Sequence, residues 1–133
     1  MPKVILVAGS YNTGKTSSIR KFVENRRIHH HKRGDISLIF PVLKTKRRLI
    51  VGVASGGDNV SVVNKNIAFL GPRLCDVIVL ASKSNGGTQR RVVQFARRLR
   101  AKLITIPTAR VNGPTAIRNE IARVARQIEL SIP

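Results

Sequence analysis

Residues 9–16 read Gly9-Ser10-Tyr11-Asn12-Thr13-Gly14-Lys15-Thr16, and the fold turns on what flanks them. Residues 3–8 (KVILVA) form a nearly unbroken apolar run, the pattern of a strand buried on both faces of a parallel sheet. Residues 16–25 place Ile19, Phe22 and Val23 at helical spacing. A glycine-bounded loop that leaves a buried strand and opens an amphipathic helix points successive backbone N–H groups at one spot, where an anion is stabilised. Gly9 and Gly14 let the backbone turn tightly and approach oxygen atoms closely. Asn12, Thr13 and Ser17 complete the expected cradle. Lys15 suits a bridge between two phosphate groups, and the Thr16 hydroxyl suits a divalent cation.

Outward from this loop the chain alternates strands and helices. Residues 26–34 (RRIHHHKRG) read as a basic loop. Apolar runs at 36–43 and 49–54 are joined by the stretch 44–48, too short for a crossover helix, so an antiparallel hairpin is expected. Residues 55–59 (SGGDN) form a second glycine-rich turn. Val60, Val63, Ile67 and Leu70 then give a helical period. Residues 77–81 (VIVLA) predict another buried strand, 82–88 (SKSNGGT) a third glycine-containing loop, and 89–100 a helix with Val92, Val93, Phe95, Ala96 and Leu99 inward. A last strand is expected at 103–106. Pro114 marks the start of a final helix near 115–130, burying Ile117, Ile121, Val124 and Ile128. The pattern predicts one α/β domain over residues 1–133: a mostly parallel five-stranded sheet with one antiparallel hairpin, sandwiched between helices in three layers.

Charge sets the partner class. Lys plus Arg number 25 against 6 Asp plus Glu, a formal net charge of +19. Such a surface attracts polyanions in a salt-dependent way, so DNA or RNA is the partner it implies. Candidate contacts are Arg26, Arg27, Lys32 and Arg33 in the basic loop and Arg90, Arg91, Arg97 and Arg98 on the helix at 89–100. Arg118, Arg123 and Arg126 could extend the patch. Tyr11, Phe22, Phe40, Phe69 and Phe95 are the aromatics, and most sit in apolar patterns, which argues against a base-stacking platform. One cysteine, Cys75, forms no intrachain disulfide framework and fits a reducing, cytoplasmic compartment. No apolar run reaches the length of a membrane helix, and residues 4–8 run straight into the loop rather than into a signal-peptide cleavage site.

The eight residues 9–16 match the Walker A pattern G-x-x-x-x-G-K-[ST], and in this context the chain resembles the P-loop NTPase superfamily over essentially its whole length. The resemblance implies ATP and Mg²⁺ as ligands, with roles for Gly9, Gly14, Lys15 and Thr16. VGVASGGD and CDVIVLASKSNGGT are more loosely similar to small stand-alone ATP-binding proteins of bacteria and their viruses.

The sequence departs from that pattern in its acids. No apolar strand ends in Asp or Glu, as a Walker B strand would. Asp58, in the turn at 55–59, is the nearest acid and is assigned with Thr16 to the metal and with Lys15 to catalysis; the alternative is an N-cap before Val60. Asp35 is read as a solvated aspartate at a strand start, although an antiparallel run at 36–43 would bring it to the ligand edge of the sheet. Ser82-Lys83-Ser84-Asn85 stands where a GTPase has N-K-x-D and lacks the guanine-reading carboxylate. Its loop is expected to sense the γ-phosphate or lie under the base. His29, His30 and His31 read as a solvated basic segment with no acid beside them rather than as metal ligands.

Three functions follow. An Mg²⁺-dependent ATPase or ATP-driven switch, acting with nucleic acid, is favoured. A small-molecule or nucleotide kinase would use Arg90, Arg91 and Arg110 as phosphoryl clamps. A basic nucleic-acid-binding protein would use no catalysis. A homo-oligomer in which a neighbour supplies an arginine is compatible with the first, although the net charge opposes close packing.

Overall fold

The computed structural model describes residues 2–10 and 13–133. Its sheet has the order β2-β3-β4-β1-β5, with β1 Lys3–Ala8, β2 Ser37–Lys44, β3 Arg47–Ala54, β4 Val77–Ser82 and β5 Lys102–Pro107. β1 pairs in parallel with β4 (Lys3 opposite Val77) and with β5 (Lys3 opposite Lys102), and β4 pairs in parallel with β3. β2 is antiparallel to β3. The α/β class and the mostly parallel five-stranded sheet with one antiparallel hairpin are therefore as the sequence predicts.

The unbroken apolar runs are explained by burial on both faces. Along β1, Ile5 and Val7 face one core, while Val4, Leu6 and Ala8 face another. The first core is closed by helices α1 Lys15–Asn25 and α4 Pro114–Ser131, through Ile19, Phe22, Val23, Val124 and Ile128. The second is closed by α2 Val60–Leu70 and α3 Gly87–Arg98, through Val63, Ile67, Leu70, Val92 and Phe95. Phe22 is fully buried and meets Phe40 with ring centroids 6.2 Å apart, so Phe22→Ala would cost about 3–5 kcal/mol.

The hairpin is tighter than the stretch 44–48 suggests. β3 begins at Arg47, leaving Thr45 (φ 48°) and Lys46 (φ 64°) as a two-residue turn with both φ positive, the geometry that matches strand twist. Pro41 sits in edge strand β2, where a missing N–H costs no ladder bond and discourages edge pairing. Several interior expectations shift, and Val93 and Leu99 of the helix expected at 89–100 are only half-buried. Val60 and Ile117 are exposed and Ile121 only half-buried, so α4 does not bury its first turn as its spacing suggests. α3 starts at Gly87, two residues earlier than expected, and ends at Arg98.

β1 and β5 feed helices on one face, and β3 and β4 feed helices on the other. Adjacent parallel strands β1 and β4 thus send the chain in opposite directions. The crevice beyond their carboxyl ends is where an open α/β sheet takes its ligand, and Gly9 and Gly14, at the two ends of the loop, lie there.

Candidate functional site

The loop begins where Gly9 N donates to Ser82 O (3.1 Å), tying it to the end of β4. It ends at Gly14, which holds φ 81° as the N-cap of α1 and offers no side-chain cap. The first amides of α1 have no partners within the helix, an arrangement that favours an anion at its start. Tyr11 and the expected ligand Asn12 lie outside the described residues.

Lys15 is folded back over the loop. It is only 6% exposed, and its Nζ donates to Gly9 O (2.8 Å), Ser10 O (3.1 Å) and Asp58 Oδ1 (3.3 Å). Thr13 Oγ1 donates to Ser10 O (2.8 Å) and is met by Thr108 Oγ1 (2.6 Å). Ser18 Oγ donates to Gly14 O (2.7 Å). These bonds set the loop's shape from its two ends.

Both candidate carboxylates reach the loop, at different atoms. Asp58 sits at Lys15 rather than at Thr16. Its alternative role as helix cap falls to the next residue, because Asn59 Oδ1 accepts from Val62 N (2.9 Å). Asp58 is positioned by Gly57, where a Cβ would lie 2.5 Å from the carbonyl of Ala81; only glycine lets this turn press on the end of β4. Asn66 of α2 is buried and donates to Gly56 O (2.7 Å), pinning the same turn from below.

Asp35 is more than a solvated strand start. Ile36 N donates to Ser55 Oγ (2.8 Å) and Ser55 N to Ile36 O (3.0 Å), extending the β2–β3 pairing just past the strand ends. Asp35 is thereby held at the ligand edge, and its Oδ1 lies 3.1 Å from Thr16 Oγ1, which also approaches Ser55 O (3.2 Å). Asp76 is at the opposite end of the sheet, as expected, and accepts from Ile50 N (2.8 Å).

Two clefts share the loop. A small polar one, lined by Thr13, Gly14, Lys15, Thr16, Ser17 and Asp58, occupies about 160 Å³. A larger one of about 240 Å³ adjoins it through Thr13, Gly14 and Ser17. It is walled by Ala109, Val111, Ile117 and Ile121, with Glu120 at its edge. Glu120 accepts from Ala109 N (2.8 Å) and from Arg123 Nε (2.7 Å), which fastens the chain after β5 to α4. The hydrogen bond from Arg123 holds the Glu120 carboxyl below the usual glutamate range, while burial opposes that shift. The 82–88 loop lies on the other side of Asp58: Lys83, Asn85, Gly86, Gly87 and Thr88 line a groove with Asp58, Asn59 and Val60.

The candidate nucleic-acid residues do not form one patch. Arg26 is paired with Glu129 (Nε–Oε1 2.7 Å). Arg27, Lys32 and Arg33 are exposed beside α1, whereas Arg90, Arg97 and Arg98 are exposed on α3 and Arg91 donates to Asn64 Oδ1 (2.8 Å). His30 lies 3.4 Å from Glu24, an acid that the sequence does not by itself place beside the histidines. Among the described residues no group of three His, Cys, Asp or Glu side chains is arranged to hold a metal ion, and no helix is long and apolar enough to cross a membrane.

Thr108, Ser55 and Asn66 carry no signal of their own in the sequence. Thr108 becomes meaningful only once β5 is known to neighbour β1, and Asn66 only once α2 is known to pass beneath the turn at 55–57. Compared with known proteins, the sequence matches no protein-family model and no curated protein.

Proposed function

We propose that this chain is a P-loop NTPase-type domain that binds Mg²⁺-ATP on residues 9–17 and acts as an ATPase or ATP-driven switch. The observation that carries this reading is the junction of two unlike clefts at one loop. A polar recess holds Lys15 and the uncapped start of α1, and it opens into an apolar cleft walled by Val111, Ile117 and Ile121. A triphosphate fits the first chemistry and a nucleobase the second. Lys15, drawn onto Gly9 O, Ser10 O and Asp58, would exchange those partners for phosphate oxygens. The 82–88 loop lines a groove with Asp58 and not this apolar cleft, so Asn85 is not positioned to read the base, contrary to the expectation that its loop could lie under it.

The residues present suit Mg²⁺: the Thr16 hydroxyl and the Asp35 carboxylate are adjacent oxygen donors, whereas Asp58, expected at the metal, is engaged by Lys15. Bound Mg²⁺ would neutralise charge on the phosphates. The chain's own groups would orient them, with Lys15 on the phosphate oxygens and the α1 amides as fixed dipoles.

Nucleic acid is the proposed partner, and one face favours it. Helices α2 and α3 contain no Asp or Glu, yet expose Lys65, Arg90, Arg97 and Arg98. On the α1–α4 face, Glu24, Glu120 and Glu129 each pair with a basic side chain. Both α2 and α3 begin at the turns around Asp58, so nucleotide-dependent movement of those turns would reach the basic face. The kinase reading is less favoured, since Arg91 is directed to Asn64 in α2. Hydrolysis of ATP by purified protein with Mg²⁺, with and without DNA or RNA, tests the proposal. Turnover stimulated by nucleic acid is expected, and binding of ATP without turnover under every condition would remove the ATPase while leaving the switch.

A further inference from the structure

We propose that the two aspartates at the loop divide the work: Asp35 is the metal-side carboxylate, and Asp58 is a stand-in for phosphate that holds Lys15 until nucleotide arrives. The inference rests on the Mg²⁺-ATP reading and assigns its metal side to a residue ahead of edge strand β2 rather than to the turn after β3.

The geometry separates the two acids. Asp35 Oδ1 and Thr16 Oγ1 are 3.1 Å apart. Neighbouring oxygens around octahedral Mg²⁺ are about 3.0 Å apart, the roughly 2.1 Å metal–oxygen length multiplied by √2. One Mg²⁺ can therefore take both atoms with almost no rearrangement. The Thr16 hydroxyl has a single proton, and Ser55 O, 3.2 Å away, accepts it when the lone pairs turn to the metal. Ser55 also fixes Ile36 through its side chain and its backbone N–H, so the group that frees the hydroxyl also positions Asp35.

Asp58 has a different neighbour. Its Oδ1 is 3.3 Å from the Lys15 ammonium, and its side chain is 48% exposed against 6% for Lys15. A nearly buried ammonium needs an anion or several acceptors. Asp58 supplies the anion from the solvent side, where an incoming phosphate would lie. Phosphate and Asp58 compete for one cation, so removing the Asp58 charge should tighten nucleotide binding rather than weaken it.

Calorimetric titration of the full chain with ATP, in Mg²⁺ and in EDTA, tests this with Asp35→Asn and Asp58→Asn. Wild type is expected to bind more tightly with Mg²⁺. Asp35→Asn should lose most of that enhancement, tenfold or more, with its EDTA affinity intact. Asp58→Asn should keep the enhancement and bind ATP in EDTA several-fold more tightly than wild type. Mn²⁺ titration followed by the loss of the free-ion EPR signal, in the presence of ATP, should show weakened metal retention in Asp35→Asn only. Thermal melts establish that each variant is folded, and Asp35→Glu provides a second probe if Asn is not tolerated. Loss of metal enhancement in Asp58→Asn with retention in Asp35→Asn would overturn the assignment. An unchanged or lower EDTA affinity in Asp58→Asn would overturn the competition. Wild type that binds no ATP in either buffer would instead overturn the Mg²⁺-ATP reading itself.

Discussion

Gly9 and Thr108 are packed so closely that a Cβ on Gly9 would come within 1.8 Å of Thr108 Oγ1. Gly9 follows β1 and Thr108 follows β5, so the loop leaves the sheet where these two residues meet. Thr108 also donates its backbone N–H to Ala8 O (2.8 Å) and meets Thr13 Oγ1 at 2.6 Å. The site's first turn is thus supported by a strand from the far end of the sequence.

Gly9→Ala should therefore destabilise the protein by about 1–3 kcal/mol, the usual cost of overpacking. Thr108→Ala alone should cost about 1 kcal/mol through weakened hydrogen bonding. Combined, they should cost less than their sum, because the second change makes room for the first. Chemical denaturation of the four proteins gives the coupling. Strict additivity would show that Thr13 Oγ1, 2.5 Å from the same Cβ position, is the real obstacle.

Glu120 gives a pH-dependent prediction. Its carboxyl is held below the ordinary range by Arg123, so its folded pKa lies below its unfolded one. The stability it contributes is fully present above the unfolded value and is lost as pH falls through the folded one. Glu120→Gln should be less stable at neutral pH by about 1–2 kcal/mol, from weakened charge-assisted hydrogen bonds. The gap to wild type should close in acid. Denaturation curves from pH 7 downward check this, and a gap constant at every pH would contradict it.

Much of this fold is legible in the sequence because burial leaves a mark. The runs at 3–8 and 77–81 are apolar at every or nearly every position, since both faces of β1 and β4 are covered. The loop is legible because residues 9–16 carry their chemistry locally. Interactions made across the sheet are not. Strand direction alone can bring Asp35 to the correct edge, but its approach to Thr16 depends on Ser55 clasping Ile36. The sequence puts Asp58 near the site, yet its choice of Lys15 depends on Gly57 meeting Ala81. The exposed first turn of α4 escapes the pattern because periodicity assigns a face without saying whether that face is filled or lines a cleft.

The charge asymmetry predicts which arginines matter for nucleic acid. Substituting Arg97 and Arg98 with Gln should weaken binding and flatten the dependence of log K on log salt, by about one unit of slope for each phosphate no longer neutralised. Arg26→Gln should instead reduce stability with little change in slope, because Arg26 is paired with Glu129. Filter binding or fluorescence anisotropy across a salt series separates these effects. Equal slopes for wild type and the Arg97/Arg98 variant would move the nucleic acid to another face.

The most direct measurement is calorimetric titration of Mg²⁺-ATP into wild type and into Lys15→Ala. Lys15 is the cation drawn into the recess, bonded to Gly9 O, Ser10 O and Asp58, and its removal should cost about 1.5–3 kcal/mol of charge-assisted bonding to the ligand. Saturable one-to-one binding by wild type is predicted, weakened roughly tenfold to a hundredfold in a folded Lys15→Ala chain. Equal affinity in the two proteins, or no binding by wild type, would contradict the nucleotide assignment.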